Sequence, residues 1–381
     1  MNPKRTKNAL EGLSMLVGDM CHAGVRTTKD YESWSRDHSG HISDMIGHPS
    51  MSNLPPGYML VRPFFHPKLP LMGLNYGNAQ QLLRGKPEGW TDSLRYCRGI
   101  VFDHNEDLIA LPYAKFFNLF NHEHPEADNP PDGPFEATVK LDGHLGIIFH
   151  YTDKWHLTTH GSFVSRSAKL GQEMLDRLVE REKHSSVISW SGHQEQQLNP
   201  LVEIIHPSTR IRCDYHGHQG LVLTGMTNRV ELNDKDYAWL AHYGPRFGMH
   251  VTDIWNDFTL DELRREVAEQ KPKDREGFVI RFADGTRGKL KYQHYLDRMS
   301  DQNLSYNALM HSSIDGTLKS KMDKLPEELW EYADDMWKKL EKARRMADKK
   351  AALAYLYALV PPEKSKQYYR KLCRDFLAHR S

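Results

Sequence analysis

Between about residues 57 and 295 the chain alternates short apolar runs with turns. "RGIVFD" (98–103), "DLIALPYAKFFNLF" (107–120), "LGIIFHY" (145–151) and "KWHLTTHG" (154–161) read as strands, because β-branched and aromatic residues fill them. "PLVEIIH" (200–206), "GLVLTGM" (220–226), "GFVIRF" (277–282) and "GKLKY" (288–292) have the same character. "ADGT" (283–286) carries the Asp-Gly signal of a hairpin joining the last two. Helical periodicity interrupts at about 166–184 and 259–270, the second opening with a Thr cap and early acids.

After Tyr295 the period changes. "PEELWEYADDMWKKLEKARRMADKKAALAYLYAL" (326–359) starts with Pro326 at a predicted helix N-terminus and puts Leu329, Ala333, Trp337 and Leu340 on one face. "EKSKQYYRKLCRDFLA" (363–378) continues as helix. Residues 1–55 hold one short helical pattern and are then polar and rich in Gly, Ser and His, closed by "SNLPPG" (52–57). The expected organisation is an N-terminal extension (1–55), a mixed, antiparallel-rich α+β domain (56–297) and a small all-α domain (298–381).

Composition adds limits. The 381 residues are 39% hydrophobic and 27% charged, ordinary for a globular protein with a real core. No window approaches 18 uninterrupted apolar residues, and the N-terminus lacks the apolar core of a secretion signal. A cytoplasmic setting without membrane contact is expected. Cys21, Cys97, Cys213 and Cys373 are scattered and fit reduced, structural thiols. The 22 histidines offer no four-ligand zinc spacing. Net charge is only +1, yet residues 319–381 hold 16 Lys+Arg against 10 Asp+Glu, 16 − 10 = +6. Such a local excess suits either a partner that is anionic at one end or a solvated helical face.

The chemistry is concentrated in charged residues that interrupt the strand runs. "FEATVKLDGHLGIIFHY" (135–151) places Lys140, Asp142 and Gly143 where an apolar run turns. A lysine in a strand-lined pocket can attack a phosphate once burial or nearby cations favour its neutral amine. Such a site needs further cations for the phosphates and carboxylates for a divalent metal, since phosphoryl transfer is mainly positioning and charge stabilisation. Glu203 interrupts "PLVEIIHP", Glu276 precedes Gly277, and Lys289 and Lys291, two apart, point to one face of a strand. Arg98 and Lys115 stand against apolar runs. Singly, each has a commoner structural explanation, such as a salt bridge or a wet strand face. The ordered set has none.

In that order and spacing, "RGIVFD" (98–103), "KFFN" (115–118), "KLDG" (140–143), "VEIIHPSTRIRCDY" (202–215), "EGFVIRF" (276–282) and "KLK" (289–291) resemble the covalent nucleotidyltransferases, and more narrowly the phage-type RNA ligase 1 family. The resemblance covers roughly residues 95–295. It implies a nucleotidyltransferase (ATP-grasp-like ligase) domain and an ATP-dependent RNA ligase using Mg²⁺ or Mn²⁺. Lys140 would attack the ATP α-phosphate to give lysyl-AMP, with Asp142 and Gly143 shaping the turn beside it. Glu203 and Glu276 would hold the metal through its waters. Lys289 and Lys291 would neutralise the α-phosphate, Arg98 and Lys115 the phosphates beyond, and Phe117 would lie near the nucleotide or pack in the core. The implied partner is RNA with 5′-phosphate and 3′-hydroxyl ends, in this family often a cleaved tRNA, in a phage or bacterial setting, with no obligate protein partner. Residues 1–55 have no counterpart, Arg212–Cys213 replace expected apolar residues, and 298–381 match only in being helical.

Rival readings are weaker. A DNA ligase or capping enzyme would continue into a β-rich OB-fold after the last lysine pair. The strings "HLTT" and "HPST" suggest an RNA phosphoesterase but lack a symmetric setting. A non-catalytic RNA-binding protein with a decayed ligase core should have lost one of the lysines or glutamates.

Overall fold

The structure is a computed structural model describing residues 3–48, 59–77, 89–121, 124–182, 197–300, 306–323, 327–359 and 366–379. It divides into two compact units, Met1–Thr209 with Cys213–Tyr292, and Arg210–Arg212 with Gln293–Ser381. The 55/56 boundary expected from sequence lies outside the described residues, and the 297/298 boundary falls inside a helix.

In the first unit, α1 (Pro3–His22), α2 (Thr28–Asp37) and α3 (Ser39–Met45) precede a four-stranded antiparallel sheet. Its strands follow in chain order: β1 (Val61–Phe65), β2 (Leu71–Tyr76), β3 (Arg98–Asp103) and β4 (Leu108–Ala110). The helices are not a separate extension. Ala9, Leu13, Leu16 and Met20 repeat at helical spacing on α1 and share one core with Val61, Leu74, Ile100 and Phe102 of the sheet. Thr27 and Asp30 close α2 with a capping box, and Tyr31 Oη donates to Val61 O at 2.8 Å. The five-residue helix α4 (Asp92–Tyr96) bridges β2 and β3.

A second sheet has the order β11-β10-β9-β7-β8, with β12 beside β10. Its strands are β7 (His144–Tyr151), β8 (Lys154–Thr159), β9 (Leu198–Ile205), β10 (Gly220–Asn228), β11 (Asn233–Asp234) and β12 (His250–Val251). α6 (Arg166–Glu182) and α7 (Tyr237–Tyr243) bury Leu175 and Leu240 against Ile148, Val202 and Leu223. A third sheet, ordered β5-β14-β13-β6, joins β5 (Phe117–Asn118), β6 (Phe135–Lys140), β13 (Gly277–Phe282) and β14 (Arg287–Lys291). α5 (Pro125–Asp128) lies between β5 and β6 in the chain, and α8 (Leu260–Glu269), with the expected Thr259 cap, precedes β13.

Two sequence expectations need correction. "DLIALPYAKFFNLF" is not one strand but the short β4 and β5 with irregular backbone between them. Leu111 N–H donates to the Asn199 side chain at 2.9 Å and Lys115 N–H to Arg95 O at 2.6 Å, so these groups are drawn off any strand ladder. Likewise 326–359 is not one helix. α12 (Glu327–Arg345) stops, and Asp348 caps a new helix, α13 (Lys349–Ala358). Pro326 lies outside the described residues.

From 293 onward the described elements of the second unit are helices joined by short turns: α9 (Gln293–Ser300), α10 (Tyr306–Ile314), α11 (Leu318–Asp323), α12, α13 and α14 (Lys366–Ala378). Leu309, Met336, Leu340, Leu356, Leu372 and Phe376 form its core. Arg344 is enclosed in it, its guanidinium 3.9 Å from the Phe376 ring centre. No described helix is long and apolar enough to cross a membrane.

Candidate active site

The turn after Lys140 is not a hairpin. It carries the chain from β6 in the third sheet to β7 in the second, so Lys140 stands where two sheets meet. Across the third sheet Lys140 is in register with Gly277, and Gly277 with Lys291. Residues opposite one another in antiparallel strands present their side chains on one face. Gly277 has none, so the two lysines flank an empty position. A Cβ there would lie 1.9 Å from Leu290 O, and the close approach of β13 to β14 therefore requires glycine.

Glu276, one residue earlier, joins the lysines. Its N–H donates to Lys140 O at 2.9 Å, fixing its backbone to β6. Its buried carboxylate takes Lys140 Nζ on Oε2 and Lys291 Nζ on Oε1, each at 2.5 Å. Burial pushes this carboxyl upward, but the two ammoniums outweigh it, and the group rests below the usual glutamate range.

Glu203 is in another position. It sits on β9, where Leu145 of β7 is its register partner, and its Oε1 accepts the Gly143 N–H at 2.9 Å. Burial, with Glu276 and Asp142 adding to it and Lys140 opposing, pushes this carboxyl up to about 8. The buried Asp142 holds a backbone turn: its Oδ2 accepts Cys213 N–H at 2.6 Å, and its own N–H donates to Tyr215 Oη at 2.7 Å. Gly143 is forced by space, since a Cβ would come within 2.6 Å of Ile204 O.

Lys289, two residues before Lys291 on the same face of β14, is held well below the usual lysine range. Burial is the main cause, followed by the charges of Lys115, Lys291, Lys140 and Arg98. The structure thus gathers every cation singled out from the sequence around Lys289. Lys115 Nζ lies 4.7 Å from the ring centre of Trp90, 5.3 Å from Phe117 and 5.6 Å from Tyr76. Phe117 itself is 2% exposed, stacked on His124 at 4.5 Å and edge-on to Trp90, so its place is in the packing.

Such a concentration of ammonium and guanidinium groups suits a polyphosphate. Among the described residues, no cluster of three or more His, Cys, Asp or Glu could hold a metal unaided. Glu203, uncomfortable as an anion where it stands, is the carboxyl whose chemistry fits a nearby divalent cation. Glu276, expected at the metal, is engaged by two lysines. Sequence reading quoted Tyr215 within 202–215 without giving it a role, and it missed Arg95 and the Tyr76–Trp90 pair. Only the aromatic character of the last two could have signalled a role, and a buried arginine in a five-residue helix leaves no periodic trace.

Antiparallel sheets thus meet at a lysine among clustered cations, an arrangement suited to a polyphosphate. Residues 96–302, just over half the chain, match the RNA ligase family model of the T4 type 1, and the chain belongs to that RNA ligase family. Comparison with curated proteins gives no match. Among solved structures, the Naegleria gruberi RNA ligase with PPi is similar at 18% identity, over 44% of this chain and 52% of that one, with a TM-score of 0.34. The match thus spans about half the length of that ligase. A mutant of it with ATP and Mn gives 19% identity, 44% and 51% coverage and a TM-score of 0.34. A putative ATP-dependent DNA ligase from Aquifex aeolicus gives 15% identity, 81% and 85% coverage and a TM-score of 0.42.

Proposed function

We propose that this protein is an ATP-dependent RNA ligase that joins a 5′-phosphate to a 3′-hydroxyl through a lysyl-AMP intermediate. The observation that carries the reading is the Lys140–Glu276–Lys291 arrangement, two lysines on one carboxylate across a glycine gap, with Lys289 beside them. Family membership supplies the substrate class, and the helices that follow Tyr292 among the described residues replace the OB-fold expected of a DNA ligase or capping enzyme.

Lys140 begins as an ammonium on Glu276. Its proton leaves by way of that carboxylate, its immediate neighbour, to solvent. The freed nitrogen pair forms a bond to the ATP α-phosphorus while the bridging oxygen departs with pyrophosphate. Lys291 and Lys289 offset the charge that builds on the α-phosphate oxygens, while Arg98 and Lys115 hold the departing phosphates. An oxygen of the RNA 5′-phosphate then displaces Lys140 from AMP, returning the amine. Finally the 3′-hydroxyl of a second end attacks the 5′-phosphorus and AMP leaves. A divalent metal, Mg²⁺ or Mn²⁺, would lie near Glu203 and supply Lewis-acid compensation of phosphate charge.

The basic helical unit selects the RNA in this reading, with repair of cleaved tRNA in a reducing cytoplasm as the setting. The test is incubation with α-labelled ATP and Mg²⁺, followed by denaturing electrophoresis. Label should travel with the wild-type polypeptide and be absent from Lys140→Ala. Label retained by that variant would overturn the assignment.

A further inference from the structure

Arg95 is a cation in the same region, yet it is not among those that surround Lys289. Its side chain is 8% exposed and makes three contacts. Nη2 reaches Glu126 Oε2 at 2.6 Å, the guanidinium carbon lies 5.7 Å from the Phe117 ring centre, and Nε donates to Lys115 O at 2.9 Å. In return Lys115 N–H donates to Arg95 O at 2.6 Å. Both backbone polar groups of Lys115 are therefore held by one residue. This matters because Lys115 lies in irregular chain between β4 and β5, where no ladder would fix it.

The helix bearing Arg95 is anchored in turn. Tyr96 Oη meets Thr6 Oγ1 at 3.2 Å, Ser93 Oγ donates to Ala9 O at 3.3 Å, and Arg5 Nε pairs with Asp92 at 2.8 Å. All three ties run from α4 to α1, which lies outside the matched family region of residues 96–302. α1 thus fixes α4, α4 fixes Arg95, and Arg95 fixes the backbone from which Lys115 extends over Trp90.

We propose that Arg95 is a positioning residue for ATP, acting through Lys115, and that helix α1 belongs to the machinery of the first chemical step. The proposal rests on the ligase reading above. Lys115 serves the phosphates that leave as pyrophosphate, so Arg95 matters when ATP is consumed and not when a pre-adenylylated RNA is sealed. A merely structural residue would affect both reactions alike.

The experiment compares Arg95→Lys with wild type in two assays: the rate of protein labelling against ATP concentration, and metal-dependent sealing of pre-adenylylated RNA without ATP. Lysine keeps the charge but cannot hold Lys115 O, Glu126 and the Phe117 face at once. Loss of one charge-assisted hydrogen bond predicts about a tenfold rise in the ATP concentration for half-maximal labelling. Maximal rate and sealing should stay near wild type. Tyr96→Phe removes a single oxygen from the α1 tie, keeps the ring in the core, and should shift the ATP dependence the same way by about two- to threefold. An unchanged ATP dependence in both variants would overturn the proposal, as would parallel loss of labelling and sealing. Lys140→Ala in the same labelling assay separates this outcome from failure of the ligase reading itself.

Discussion

The carboxylate of Glu276 touches two ammoniums, whereas that of Glu203, on the adjoining sheet, accepts one backbone N–H and faces the negative charges of Glu276 and Asp142. Glu276 is buried and Glu203 half-buried, and burial is the leading upward push on each carboxyl. Their acidities nonetheless part in opposite directions, one below the usual range and one up to about 8. Burial acts on both alike, so partners decide the difference. Glu276 is an anion already neutralised by protein. Among the described residues Glu203 has only a backbone N–H on its carboxylate, and the proposed function accordingly divides the labour of the site, Glu276 serving the lysines and Glu203 the metal.

The largest break in this comparison should come from Glu276→Gln. Removing one partner of a buried ion pair costs about 3–5 kcal/mol, here toward the low end because the two lysine side chains keep 23% and 21% exposure. Labelling from ATP should fall roughly a hundredfold or more, and denaturant titration should show the stability loss. A pH series gives the sign. A carboxyl held below its ordinary 4.5 stabilises the fold above that value, and the contribution disappears as pH falls through the folded pKa. Glu276→Gln should therefore lose part of the acid sensitivity of the wild type.

Glu203→Gln should behave oppositely in stability. A carboxyl raised to about 8 binds more protons folded than unfolded, so its contribution is full below about 4.5 and is lost as pH climbs through about 8. The glutamine variant should flatten that decline and be the more stable protein near pH 8 without metal. Its labelling should nevertheless drop by orders of magnitude at every Mg²⁺ concentration. Ligation at the normal rate would make Glu203 a structural residue and end the division of labour.

The smallest effect is expected from Gly277→Ala. The added methyl carbon meets Leu290 O at 1.9 Å and must push β14 from β13. Over-packing of this kind costs about 1–3 kcal/mol. Lys291 would move from Glu276 while Lys140 stays, so labelling should weaken by about tenfold without the loss of acid sensitivity expected of Glu276→Gln. Thermal melts at pH 4 and pH 7 distinguish the two variants.

Much of this site could be read from spacing because strand chemistry is local. Lys140, Lys289 and Lys291 stand at the polar breaks of runs rich in Val, Ile and Phe, and the third sheet gathers them. The Thr259 cap and the Asp-Gly turn at 283–286, where Gly285 has φ +84°, follow from residues within one turn of each other. Register between strands distant in sequence is different. Nothing within "EGFVIRF" or "KLK" states that Gly277 falls between Lys140 and Lys291, since that pairing joins residues more than 130 positions apart. Sequence shows one short helical pattern at the N-terminus, and α2 and α3 stayed hidden for a related reason. Tyr31, Ile42 and Ile46 are few among polar neighbours, and only the sheet they cover reveals them as core.

The latch formed by Asp142 with Cys213 and Tyr215 sets a mechanical limit on the proposed chemistry. On one side of residue 140 the chain is stitched into β13, and on the other it is bolted to the 213–215 segment. The backbone on both sides of Lys140 is therefore tied by hydrogen bonds. In the proposed chemistry, the travel between ATP, the loaded intermediate and the incoming RNA end would fall to the four methylenes of that lysine. The RNA end would then be brought within the sweep of that arm rather than met by a shift of its mounting.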